Sequence, residues 1–330
     1  MNEKNKKIDL NSAKLDEEKK NSLRPLSLNE FIGQQFIKSN LEAYIESSKK
    51  RKKNVDHIIL YGPPGLGKTS LAHIISNEKN VNFHSTSGPA FTKKGDLVTL
   101  LSNMMEGDIL FIDESHRLSP IIEETLYPAM EDYKCDYVIG SGPSARVVQI
   151  SIEKFTLIGA TTRLGLLSRP LRDRFGIPLQ LSFYEPEDLM KIIILNSKKL
   201  KFLISEDSAY EIAKRSRGTP RIARRLLKRI IDFSIVNEED KIDLKSAKES
   251  LKKMKIDSEG LDYMDRKYMN CIAYDFHGGP VGVETLSAAL LEHKDIIEDV
   301  IEPYLMQRGL VQRTSRGRIL SQKGLEHKKK

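Results

Sequence analysis

Ile58-Ile59-Leu60-Tyr61-Gly62-Pro63-Pro64-Gly65-Leu66-Gly67-Lys68-Thr69 is the stretch that decides the fold. An apolar, strand-like run feeds directly into the spacing G-x-x-x-x-G-K-T of a phosphate-binding loop. Its glycines let consecutive backbone N–H groups turn inward around an anion. Lys68 supplies a point charge for the β- and γ-phosphates, and the Thr69 hydroxyl suits Mg²⁺. Ser70 to Ile75 continues as a helix whose N-terminus faces the phosphates. With a strand before it and a helix after it, the loop predicts nucleotide binding rather than a simple turn.

Outward from this loop, the chain of 330 residues is long enough for two or three domains. Charged residues make up 30% and hydrophobic ones 39%, as in a soluble globular protein. No apolar run has the length of a transmembrane helix, and the N-terminus carries no hydrophobic signal region. Cys135 and Cys271 are far apart and no C-x-x-C is present. A disulfide framework and a zinc site are therefore not expected, and a reducing cytoplasm is. The net charge of +8 is compatible with a nucleic-acid partner without specifying one.

The chain changes character along its length. Residues 1–20, rich in Lys, Asn, Asp and Glu, read as a flexible tail. Across 21–182, short apolar strands alternate with helical patterns, which predicts an α/β domain with a parallel sheet covered by helices. The expected strands are Ile58–Tyr61, Val81–Ser85, Ile109–Ile112 and Phe155–Ala160, whose near-continuous apolar character fits burial on both faces. Residues 183–254 read as a small helical domain, and 255–330 as a third region ending in a β-like pair.

Five further residues extend the chemistry of the loop. Ile109 to Ile112 ends in Asp113 and Glu114. Asp113 at a strand's C-terminal edge can hold Mg²⁺ through water, and Glu114 can orient or deprotonate a water attacking the γ-phosphate. Thr161 ends another buried strand, opening onto the same crevice. There it either caps the next element or positions the water. Arg174 sits beside a turn, free to pair with Asp173 or to reach a neighbouring subunit's nucleotide as an arginine finger. Arg221 follows Thr219, an expected N-cap, and Pro220, an expected first helical residue. A cation in the first turn opposes the helix dipole, which suggests service to an anion.

In this order, these motifs resemble the AAA+ ATPases and, more finely, the RuvB family of bacterial Holliday-junction branch-migration motors. The resemblance covers Leu23 to about Leu325. It rests on Arg24-Pro25 with Phe31 to Gln34, Gly62 to Thr69, Asp113 to Leu118, Leu126 to Tyr133, Gly159 to Arg163, Leu171 to Gly176, Gly218 to Ala223, Asp262 to Lys267 and Gln312 to Arg318. It implies a P-loop ATPase domain, a helical lid and a winged helix. It also implies ATP contacts at Leu23, Arg24, Gly65, Lys68, Thr69, Ser70, Glu131, Asp132, Tyr133, Tyr184 and Arg221. Arg174 is then the trans-acting finger in a ring, a hexamer on DNA, with RuvA and the RuvC resolvase as partners. Ser115, beside Glu114, stands where the family usually carries an apolar residue.

Two other segments bear on partners. Asp136 to Ile150 alternates β-prone residues around Gly-Ser-Gly-Pro and reads as a hairpin. In the family this insertion meets RuvA, and Ile139 is either its exposed apolar contact or a core residue. In the last region, helices over Glu284–Leu291 and Asp295–Leu305 precede wing strands within Leu310–Leu320. Asp295, Glu298, Asp299 and Glu302 make the recognition-position helix acidic and a poor reader of bases. Arg313, Arg316 and Arg318 on the wing instead suit sequence-independent backbone contact. The reading that competes with a duplex-DNA motor is a nucleotide switch of the initiator or clamp-loader type.

Overall fold

The computed structural model describes residues 23–139 and 146–327, with only the backbone described at Val138 and Ile139. The tail at 1–20, the turn at Gly140–Pro143, the side chain of Ile139 and Lys328–Lys330 lie outside the described residues. The chain forms two compact units. The first comprises 1–62 and 67–182, and the second comprises 63–66 with 183–330. The tip of the phosphate loop thus groups with the second unit, which also contains both the lid and the winged-helix segments.

In chain order the first unit carries α1 (Gln35–Arg51), β1 (Ile58–Tyr61), α2 (Lys68–Lys79), β2 (Phe83–Ser87), α3 (Lys94–Ser102), β3 (Ile109–Asp113) and α4 (Pro120–Glu131). An antiparallel hairpin of β4 (Lys134–Ile139) and β5 (Arg146–Ser151) follows, then β6 (Thr156–Thr161), α5 (Arg169–Asp173) and β7 (Ile177–Gln180). Five strands form one parallel sheet in the order β2-β3-β6-β1-β7. Strands β1, β3 and β6 are buried along almost their whole length. Helices on both faces explain why their sequences are apolar throughout rather than alternating.

Two strands depart from the sequence reading. β2 begins at Phe83, not Val81, because the Val81 amide still closes onto the Ser76 carbonyl at the end of α2 (3.2 Å). β7 was not expected at all. It lies at the sheet edge, alternates buried and exposed residues and contains Pro178. An edge strand tolerates a proline's missing N–H on its open side.

His57 stitches the edge at which the strands begin. Its Nδ1 accepts from the Leu157 amide (2.8 Å), so Nε2 carries the proton and donates to the Met130 carbonyl (3.1 Å). That bond fixes the C-terminal end of α4 against the start of β1.

The second unit contains α6 (Pro186–Lys199), β8 (Leu203–Ile204), α7 (Glu206–Lys214), α8 (Pro220–Val236), β9 (Lys241–Ile242) and α9 (Leu244–Lys253). After these come α10 (Tyr263–Asn270), α11 (Val283–Leu290) and α12 (Lys294–Ile296), which runs through the π-helical turns Ile297–Ile301 into α13 (Glu302–Gln307). The wing strands β10 (Val311–Thr314) and β11 (Gly317–Leu320) pair antiparallel before α14 (Gln322–His327). Tyr268, Ile272, Leu286, Ile297 and Leu305 make the winged-helix core. Pro220 opens α8 as expected, but Thr219 does not cap it: its hydroxyl donates to the Arg217 carbonyl instead (2.8 Å).

Burial holds the His57 pKa below 6.5, against the opposing pull of the Met130 carbonyl and Asp56. As pH falls through the unfolded value, the unfolded chain takes up a proton that the folded chain resists, so stability is lost on acidification. His57→Gln removes this linkage. The stability advantage of the parent chain over His57→Gln, from urea unfolding, should shrink by about 1 kcal/mol between about pH 7.5 and about pH 5.5. An advantage that stays constant would contradict the assignment.

Candidate functional site

The phosphate loop leaves β1 in a conformation that requires glycine. Gly62, Gly65 and Gly67 have φ of 139°, 82° and 108°. A Cβ on Gly62 would lie 2.4 Å from the Leu181 carbonyl oxygen, and one on Gly65 would lie 2.9 Å from Arg221 Cβ. The Gly62 amide is anchored to the Thr161 carbonyl (3.2 Å). α2 then starts at Lys68, whose buried ammonium donates to the Gly62 carbonyl (2.8 Å). Thr69 and Ser70 follow in its first turn, where backbone amides and the helix dipole favour phosphate. Leu23 is buried, and the segment after it is tied to α2, with Asn77 Nδ2 donating to the Leu26 carbonyl (2.9 Å). Arg24 is close enough to His73 on α2 to add to the burial that lowers its pKa.

Within the second unit the loop tip meets two more of the expected residues. The Tyr184 hydroxyl donates to the Leu66 carbonyl (3.1 Å), and the Arg221 amide donates to the Gly65 carbonyl (3.3 Å). Tyr184 is buried, while the Arg221 side chain is exposed at the start of α8. The helix thus offers a cation directly behind the loop, against its own dipole.

The acidic pair lies at the edge where the strands end. Asp113 closes β3, and Glu114 turns into the left-handed region (φ 50°, ψ 44°), a conformation costing a non-glycine residue on the order of 1 kcal/mol. The turn presents His116, to which the sequence reading gave no role. Its Nδ1 lies 3.3 Å from Glu114 Oε2 and 2.9 Å from Thr161 Oγ1. Thr161 is fully buried, and its hydroxyl also accepts from the Arg163 amide (3.0 Å). Glu114 and Thr161 are therefore coupled through one imidazole. Its only sequence signal was its place two residues beyond the acidic pair.

Arg174, Glu131, Asp132 and Tyr133 occupy the opposite edge. Arg174 pairs with Glu131 (3.1 Å), donates to the Pro170 carbonyl (2.8 Å) and stacks over the Tyr127 ring at 4.5 Å. Its Nε is buried and has no hydrogen-bond partner among the described residues. Asp173, the alternative mate that the sequence offered, instead faces Arg169 (3.5 Å). α4 runs back antiparallel to the strands, so its end lies where they begin. There Met130 meets His57, and Tyr133 meets Phe155 edge-on at 6.3 Å. Arg174 precedes the first residue of β7 on the same edge. The six residues of β6 alone span about 20 Å. The fold therefore does not bring these four residues to the phosphate loop of their own chain.

The wing also differs from the sequence reading. Arg318 is 7% exposed. It donates from Nε to Glu302 Oε1 (2.8 Å) and from Nη2 to Glu298 Oε1 (2.8 Å). Arg313, half exposed, reaches Glu302 Oε2 (2.7 Å), and the Tyr268 hydroxyl donates to Glu302 Oε1 (2.9 Å). Glu302 is itself buried. The acidic helix and the basic wing, read separately from sequence, are thus one charge-compensated cluster, because a carboxylate this deep needs paired cations. Among the described residues, Arg316 is the wing arginine that stands exposed at the tip without an ion pair.

Ser115 is buried, and its hydroxyl donates to the Ala160 carbonyl (3.1 Å). Ser115→Ala leaves that carbonyl unsatisfied and should lower the unfolding free energy by about 1 kcal/mol in urea titrations, with nucleotide turnover within about twofold of the parent. A stability equal to the parent's would show that the hydroxyl bond contributes nothing.

Among the described residues no helix is long and apolar enough to cross a membrane. Residues 23–181 match the family model of the Holliday junction DNA helicase RuvB P-loop domain. Residues 184–257 match the RuvB AAA lid domain, and 258–329 the RuvB C-terminal winged helix domain. The fold is similar to that of the Thermotoga maritima RuvB Holliday junction branch migration motor, with 47% identity and a TM-score of 0.87, over 93% of this chain and 98% of that one. An arginine-to-alanine variant of the Thermotoga protein matches over the same shares at 47% identity and a TM-score of 0.86. With a phosphate loop, an acidic strand end, a lid and a winged helix in this order, the chain belongs to the RuvB family of Holliday junction DNA helicases.

Proposed function

We propose that this chain hydrolyses ATP at sites shared between neighbouring copies of itself and uses that cycle to move duplex DNA. As a RuvB-family protein it is an ATP-driven motor of Holliday-junction branch migration, acting in recombination and repair. The observation that carries the shared-site reading is the division of the site residues between the two edges of one sheet. Lys68, Asp113, Glu114 and Thr161 lie where the strands end, and Arg174 with Glu131 lies where they begin. One subunit then supplies the phosphate loop, and its neighbour supplies Arg174 and the Glu131–Tyr133 segment. A ring, in the family's form a hexamer, is the assembly in which every copy gives one half and receives the other.

Within the loop half, Lys68 and the first-turn amides of α2 hold the phosphates. Leu23, Arg24, Gly65, Ser70, Tyr184 and Arg221 complete the ATP pocket. Thr69 and Asp113 would hold Mg²⁺, which when bound offsets phosphate charge. One hydroxyl and one carboxylate suit it, because Mg²⁺ keeps waters and substrate oxygens rather than a full protein cage. No cluster of three or more acidic, His or Cys ligands is found among the described residues. Glu114 is the base for the attacking water. His116 holds its carboxylate and ties it to Thr161.

The β4–β5 hairpin presents Tyr137, Val147 and Val148 as exposed apolar groups. This supports docking of the junction-binding partner RuvA there, with Ile139 as a contact. RuvC completes the junction machinery, in the cytoplasm. On the wing, Arg316 and Arg313 contact the DNA backbone, and Arg318 joins them only by releasing Glu302.

Glu114→Gln keeps the shape but removes the base. Hydrolysis should fall by about 10²- to 10⁴-fold while equilibrium ATP binding stays within a few-fold. On a synthetic four-way junction with RuvA, the parent chain should resolve the arms only when ATP is hydrolysed. Nucleotide-gated binding without arm movement would instead favour a switch of the initiator type.

A further inference from the structure

The second unit contains a cleft of about 860 Å³ that the ATPase and wing readings do not use. Five basic side chains line it, Arg215, Lys248, Lys252, Lys255 and Arg266, against two acidic ones, Asp257 and Glu259. Most of these charges are already engaged. Arg215 is paired with Glu211, and Arg266 donates to the Leu261 and Lys255 carbonyls (2.7 and 2.6 Å). Asp257 faces His327 (3.2 Å) and accepts the Leu261 amide (2.8 Å), and Glu259 is held by Arg308. The exposed lysines Lys248, Lys252 and Lys255 make no ion pair or side-chain hydrogen bond among the described residues. The positive charge left facing the cleft is theirs.

Local structure does not account for all three. A helix C-terminus favours cations, which covers Lys252 in the last turn of α9. It does not cover Lys248, one turn earlier, where a like charge at i,i+4 opposes helix formation. Three flexible ammonium groups lining one cleft suit a run of anions better than one phosphate, which would need convergent donors. They are sequence-blind point charges. Tyr274, 71% exposed, adds an aromatic face at the rim. Such a face is suited to stack on a base or sugar.

We infer that this cleft is a second nucleic-acid contact, separate from the wing, in which Lys248, Lys252 and Lys255 follow the sugar–phosphate backbone. The inference rests on the reading that the chain works on DNA. It gives the motor a sequence-independent grip whose strength is set by salt.

The test measures binding of a fluorescent random-sequence duplex across a salt series. The parent chain is compared with Lys248→Gln/Lys252→Gln/Lys255→Gln and with Arg313→Gln/Arg316→Gln, each with its thermal melt. The triple variant should melt as the parent does. Its slope of log affinity against log salt should fall by about 2 to 3, and its affinity at about 0.1 M salt by at least about tenfold. On the parent chain, duplex should protect the same three lysines from an amine-acylating reagent. Parent-like binding by the triple variant, with loss only in the wing variant, would overturn the inference. Lysines left reactive under duplex but shielded by poly-glutamate would overturn it in favour of an acidic protein partner. A parent chain with no salt-dependent duplex binding would sink the DNA reading itself.

Discussion

All five strands of the sheet run the same way, and the site follows from that parallel pairing. β1 is hydrogen-bonded between β6 and β7, with Leu60 opposite both Ala160 and Leu179. Parallel strands require helical returns on the faces, so everything that follows a strand emerges at one edge and everything that precedes one gathers at the other. The phosphate loop, Asp113, Glu114 and Thr161 all follow strands. Glu131 and Arg174 both precede them. No side-chain rearrangement within one copy exchanges those edges, so sheet topology keeps the two groups of residues apart, and the proposed sharing between copies rests on that separation.

Each half is held by ordinary interactions under constraint. Glycine torsions at Gly62 and Gly65 let the loop pass within contact distance of Leu181 and Arg221. The left-handed Glu114 and the His116 bridge to Thr161 hold a carboxylate at a strand end. On the other edge, Arg174 rests on Glu131, Pro170 and Tyr127 while its Nε has no partner among the described residues. That leaves the guanidinium with hydrogen-bonding capacity unused inside its own subunit.

Much of this was legible in the chain. β1, β3 and β6 announced themselves because burial on both faces leaves an unbroken apolar run, and the loop spacing is dictated by phosphate geometry. β7 was hidden because an edge strand alternates and accepts Pro178. The site residues divide in the same way. Glu114 and Thr161 could be located because each sits at the end of a recognisable strand, and Lys68 because the loop spacing fixes it at the start of α2. The Arg174–Glu131 pair could not, since its members are 43 residues apart and meet only through the antiparallel return of α4. His116 carried no signal beyond its place after the acidic pair, and its meaning lies in a contact with Thr161 on another strand. The wing arginines read as one exposed patch because sequence gives charge but not depth. Glu302 is buried, and that depth draws Arg318 inward.

Mixing two inactive chains tests the shared site most directly. Lys68→Ala disables the loop half, and Arg174→Ala disables the opposite half. Neither variant alone should hydrolyse ATP at more than a small fraction of the parent rate, since a trans-acting arginine is worth about 10³- to 10⁵-fold. Combined in equal amounts, they should regain ATPase activity at those interfaces where an intact loop meets an intact arginine. Mixtures that form rings yet stay as inactive as either variant alone would contradict the account.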